Sequence, residues 1–175
     1  MTATTLLAVP RERCEQCGFD SGRWTDGDAA TAITELPNRW RNAVSGLSRD
    51  TLHFRPIPEM WSIAEYVDHV REVLFVMRFL LDTAITQPGT DLGEPPETRF
   101  DPEPRVVDIE AALSGIELEA MALSQRLAEL NVSTSASTVT VGGDLVDSHW
   151  IARHAVHDAT HHLLDIDRLR NISNQ

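Results

Sequence analysis

The stretch from Trp61 to Ala84 constrains the fold more than any other part of the sequence. Trp61, Ala64, Val67, Val70, Leu74, Met77, Leu81 and Ala84 recur every three or four residues. That is the spacing of one face of an α-helix, not of a strand. Ser62 stands near the start of the run with Glu65 three residues after it, the pattern of a capping box. The spacing predicts a helix over 62–86 that must bury its apolar stripe against other elements.

Three further segments carry the same period. Ile33, Leu36, Trp40, Val44 and Leu47 predict a helix from about Asp28, with Pro37 marking either its true start or a kink. Ile109, Leu113, Ile116, Leu123 and Leu127 predict a helix over about 106–130, and a fourth runs from Asp144 or Asp147 to Arg170. Between the second and third, residues 87–105 hold Pro88, Gly89, Gly93, Pro95, Pro96, Pro102 and Pro104, a long surface loop. Thr138 to Val141 reads as a short strand or as nothing regular. The fold class is therefore all-α. Helices of about 20 residues are roughly 30 Å long, and four of them pack as a bundle. The division along the chain is an irregular N-terminal segment, 1–27, followed by a four-helix domain, 28–175.

Composition narrows the function. The chain carries 15 basic residues, all of them Arg, against 27 acidic ones, for a net charge of −12. Nucleic-acid binders need a basic patch, so DNA and RNA are not expected partners. Arg78 and Asp82 break the longest apolar stretch, which rules out a membrane span of about 20 apolar residues. Met1 to Pro10 lacks the basic start of a signal peptide, so the expected location is the cytoplasm.

The chemistry concentrates near the C-terminus. Of seven histidines, His149, His154, His157, His161 and His162 fall within one predicted helix. His157 and His161 are four apart and project about 40° from each other, a spacing at which two imidazoles can hold one metal ion. A hydrogen-bonded or solvated pair is the competing reading. His162 points about 100° away from His161 and is not expected to share its ion. A catalytic zinc site needs a third protein ligand. His69, set among Val67, Val70 and Val73, is the histidine inside a predicted helix elsewhere in the chain. His154 and His149 read as surface or helix-start residues, and His53 as a loop residue.

The residues Trp61-Ser62, Glu65 and His69, with His157-Asp158-Ala159-Thr160-His161-His162, resemble the DinB/YfiT-like superfamily of metal-binding four-helix bundles over about residues 28–170. The Arg-Gly-Gln that many members carry after the last histidine is replaced here by Leu163-Leu164-Asp165. The resemblance implies a divalent metal, zinc or nickel, held by one histidine of the second helix and two of the last. By position these are His69, His157 and His161. It also implies thiol transfer: a low-molecular-weight thiol such as mycothiol or bacillithiol attacks an electrophilic small molecule. An all-arginine basic complement fits a GC-rich genome and hence mycothiol. Three neutral imidazoles would leave the ion's double charge uncompensated and favour a bound thiolate or hydroxide. A metal-dependent hydrolase, a non-catalytic stress or partner module, and metal storage or sensing are the alternatives. A small-molecule substrate is the expected partner, and a homodimer is compatible with the resemblance.

Metal-bound histidines usually donate their other N–H to a carboxylate or carbonyl. Asp165, four residues after His161, and Glu65, four before His69, stand where they could accept. For Glu65 the capping box alone is the competing reading. Cys14-Glu15-Gln16-Cys17 is half of a zinc site, a redox dithiol or a pair of unrelated thiols. As a zinc site it would need two more ligands, for which His53 and His149 are candidates.

Overall fold

The computed structural model describes residues 11–95 and 103–173. The first ten residues of the N-terminal segment and the middle of the 87–105 loop lie outside the described residues. A 3₁₀ turn at Ser21–Arg23 leads into α1, Asp26–Val44, and the short α2, Arg49–His53. Then follow α3, Ile63–Thr86, α4, Ile109–Ala128, and the short α5, Val132–Ser135. The strands β1, Thr138–Val141, and β2, Asp144–Asp147, precede α6, Ser148–Ser173.

Local chemistry explains most boundaries. Thr25 caps α1 in a capping box with Asp28, so Asp28 sits at the third helical position rather than at the cap. Pro37 lies inside α1, and the helix runs through it. Ser62 and Glu65 form the expected capping box of α3. Asp108 caps α4, and the Asp147 carboxylate accepts from the Trp150 amide at 2.8 Å in the first turn of α6. The β1–β2 hairpin is antiparallel, pairing Thr138 with Asp147 and Val141 with Asp144. Its turn is Gly142-Gly143, with φ of 57° and 85°, values that a two-residue hairpin requires and that a Cβ disfavours. The all-α expectation thus holds for the bundle, with this small hairpin added.

The helix order around the bundle positions everything that follows. The long helix α1 packs on α4 and α6, and α3 also packs on α4 and α6. Helices adjacent in sequence, α1 with α3 and α4 with α6, therefore stand on the diagonals. This brings the second long helix against the last one. The shared core holds Ile33, Leu36 and Trp40 from α1, Val67, Leu74 and Leu81 from α3, Ile116 and Leu123 from α4, and Ile151, Ala155, Ala159 and Ile166 from α6. No helix among the described residues is long and apolar enough to cross a membrane.

Candidate metal centre

The helix α6 carries donor residues in two interleaved pairs, each spaced by four. His157 and His161 form one, Asp158 and His162 the other. Successive helical residues turn by about 100°, so the pairs occupy different faces. The buried residues Ile151, Ala155, Ala159 and Ile166 define the side facing the bundle. His162 lies about 25° from the middle of that side and Asp158 about 65°, whereas His157 lies about 165° from it. The Asp158–His162 pair consequently faces α3, and the His157–His161 pair faces outward.

The ring of His69 on α3 meets the inner pair. Nε2 of His69 lies 3.5 Å from Oδ1 of Asp158, and Nε2 of His162 lies 3.8 Å from the same oxygen. The three donor atoms all fall within 4.8 Å of one another. Tetrahedral coordination at about 2.0–2.1 Å spaces its ligands by roughly 3.4 Å, close to these separations. Asp158 Oδ1 is buried and accepts no hydrogen bond among the described residues. Burial alone would raise the Asp158 carboxyl, but His69 and His162 beside it hold it below its ordinary value. Two nitrogens and one carboxylate oxygen, itself an unsatisfied buried acceptor, fit a divalent cation.

Neighbouring groups fix the rings. The ring of Trp61 lies 4.9 Å from that of His69, and Tyr66 lies 5.0 Å from His162. The Asp165 carboxylate is 2.9 Å from Nδ1 of His162. Burial would raise the Asp165 carboxyl, and His162, His161 and Arg168 outweigh that and keep it low.

The expected set of His69, His157 and His161 does not come together. His157 and His161 group instead with Cys14 and Cys17 of the N-terminal segment. The reason is the phase of α6: a ring on its outer face cannot reach α3. Asp158 and His162, not His157 and His161, stand beside His69. Residue type hid them, because two imidazoles invite pairing; the phase of Ala155, Ala159 and Ile166 would have separated the faces. Asp165 supports His162 by direct contact and stands 3.9 Å from Nε2 of His161.

Glu65 plays a different part from the one expected beside His69. Its buried carboxylate pairs with Arg55, accepts from the Ser62 amide at 2.9 Å and hydroxyl at 2.8 Å, and accepts from the Arg105 amide at 3.1 Å. Burial would raise this carboxyl, but those donors bring it down to about 2. Glu65 thus ties two loops to the start of α3. The histidines proposed as cysteine partners are also engaged elsewhere. Nε2 of His53 is 3.1 Å from the Val107 carbonyl, and Nδ1 of His149 is 2.7 Å from Asp26. His154 lies 3.0 Å from Glu12 and stacks on Trp150.

The sequence pattern of the DinB superfamily matches residues 32–166. The chain belongs to the DinB superfamily. A solved structure supports the fold of this DinB member. YfiT from Bacillus subtilis, described as a probable metal-dependent hydrolase with an unusual four-helix bundle topology, superimposes with a TM-score of 0.74 at 14% identity. The match covers 94% of this chain and 93% of YfiT. No curated protein matches the sequence. Cys14 and Cys17 lie outside the residues that define membership of the DinB superfamily here.

Proposed function

We propose that the protein is a divalent-metal-dependent enzyme in which His69, Asp158 and His162 hold the ion and leave a coordination position for a reacting nucleophile. The observation that carries this reading is Asp158 Oδ1, a buried carboxylate oxygen without a hydrogen bond, set between two imidazole nitrogens. Leaving such a charge uncompensated is costly. Three protein donors are also one short of a closed site, as in catalytic zinc centres. No fourth protein donor joins this group among the described residues. A divalent ion there, zinc or nickel, would supply Lewis acidity that brings a coordinated thiol or water towards ionisation near neutral pH.

The chain's own residues prepare the position. Asp165 accepts from Nδ1 of His162 and leaves Nε2 bare towards Asp158 and His69. Trp61 and Tyr66 limit how far the two rings can turn. Burial, and then the Asp165 charge, push Tyr66 up to about 12, so its phenol keeps its proton at neutral pH.

Two nucleophiles suit this position. Transfer of a low-molecular-weight, mycothiol-like thiol to an electrophilic small molecule is the reading that the motif resemblance supports. Hydrolysis gains support from the Asp158 carboxylate, because a mixed set of two histidines and a carboxylate is that of metallo-hydrolases. The test is a screen of metal-loaded protein against electrophilic substrates, with and without added thiol. Thiol-dependent substrate loss supports transfer, and thiol-independent loss supports hydrolysis. In either case His162→Ala should abolish turnover. A metal content in His162→Ala and His69→Ala equal to wild type would overturn the assignment.

A further inference from the structure

The outward donor pair of α6 is left over from the bundle centre, and the N-terminal segment covers it. Residues 13–20 form a tight turn. The Cys14 amide donates to the Phe19 carbonyl at 2.9 Å, the Gly18 amide donates to the Cys14 carbonyl at 2.9 Å, and Arg13 bridges to Asp20. Gly18 takes φ of 75°, which residues with a Cβ rarely adopt. In this turn the amides of Gln16 and Cys17 are aimed at the Cys14 sulfur, and the Phe19 amide at the Cys17 sulfur. Amides aimed at two sulfurs three residues apart favour the thiolate, the form in which cysteine binds metal, although burial outweighs this at Cys17 and raises its thiol.

The histidines complete the arrangement. Nδ1 of His161 lies 3.5 Å from the Cys14 sulfur. Nδ1 of His157 lies 2.5 Å from Glu12, while its Nε2 is buried and makes no well-formed hydrogen bond. The Phe19 ring stacks on His157 at 4.5 Å and 9°, which fixes the direction of that nitrogen. One ligand atom from each of the four residues falls within 4.8 Å of the others. With Zn–S near 2.3 Å and Zn–N near 2.0–2.1 Å, a tetrahedral site spaces sulfur from nitrogen by roughly 3.6 Å, close to the observed contact.

We propose that Cys14, Cys17, His157 and His161 form a second, closed zinc site that fastens the N-terminal segment to the outer face of α6. Two thiolates neutralise the ion's charge and four protein ligands leave no open position, the signature of a structural site. Binding displaces the thiol protons to solvent and changes no oxidation state. Glu12 accepts from Nδ1 of His157, the carboxylate–histidine–zinc arrangement that orients a ligand ring. The site is independent of the function proposed above, because its donors are a different set.

The test uses full-length protein purified with zinc, in a His162→Ala background that silences the bundle centre. X-ray absorption should show about two sulfurs near 2.3 Å per zinc. Adding Cys14→Ser and Cys17→Ser should remove the sulfur shell and about one zinc equivalent per chain, as a closed four-ligand site demands. In the unsubstituted protein, zinc should protect both thiols from alkylation. A shell of nitrogen and oxygen alone, a Cys14–Cys17 disulfide in the purified protein, or alkylation at equal rates with and without zinc would each overturn the proposal.

Discussion

Oδ2 of Asp165 lies 2.9 Å from Nδ1 of His162, and the same oxygen lies 3.9 Å from Nε2 of His161. Because the carboxyl is held below its ordinary value, it is ionised at neutral pH and Nδ1 of His162 must be the donor. The tautomer that leaves Nε2 bare is therefore imposed by a residue one turn further along α6. Replacing Asp165 with Asn should lower metal affinity at the bundle centre by about 10–100-fold, the usual cost of losing such a partner. Competition with a chromophoric chelator measures this; an unchanged affinity would show that the ring needs no such support.

His69 and His157 should now behave differently. The prediction is that His69→Ala empties the bundle centre while leaving sulfur-ligated zinc in place, and that His157→Ala does the reverse. Both variants should keep the helical circular dichroism of the parent, since neither ring belongs to the apolar core. Elemental analysis combined with cobalt substitution distinguishes the two centres, because only the cysteine-containing one gives thiolate charge-transfer absorption. Loss of the same spectral signal in both variants would contradict two separate sites.

Glu65 makes a prediction about acid stability. Its folded-state value is depressed to about 2, below the ordinary carboxylate value of about 4.3. The sign follows from linkage: its contribution is fully present above the unfolded value and is lost as pH falls towards about 2. Denaturant titrations between pH 5 and 2 should show this loss, and a Glu65→Gln variant should have a flatter profile. At neutral pH, Glu65→Gln should cost about 3–5 kcal/mol, because it removes the carboxylate that pairs with the buried Arg55 guanidinium. Parallel pH profiles for variant and parent would refute the role.

Leu74 is fully buried on α3, the helix packed against both α4 and α6. Leu74→Ala should destabilise the fold by about 2–5 kcal/mol, through lost burial and a residual cavity. The denaturation midpoint should fall with an unchanged slope. A shift below about 1 kcal/mol would mean that the site collapses around the smaller side chain.

The bundle was legible because its signals are local. Ser62 and Glu65 stand three residues apart, and Val67, Leu74 and Leu81 repeat with the helix, so capping and burial can be read without knowing the neighbours. The candidate metal centre was legible only in part. His69 and the histidine-rich C-terminal helix were visible, but the choice among His157, Asp158, His161 and His162 depends on which side of α6 meets α3. That depends on packing across the bundle, which shows in the phase of Ala155, Ala159 and Ile166 and not in residue type. The link from Cys14 to His161 spans 147 positions, and no local rule connects residues so far apart. Glu65 shows a different difficulty: a carboxylate four residues from a histidine faces the same way, yet the guanidinium of Arg55 and the Arg105 amide claim it first.

The interleaving of the two pairs along α6 has an evolutionary corollary. Inserting or deleting a single amino acid just ahead of His157 would rotate the whole cassette by a little over a quarter-turn, pointing each pair at the wrong neighbour. A substitution of one donor here would disable one proposed centre, whereas a length change would disable both together. This segment should therefore vary in composition among descendants long before it varies in length.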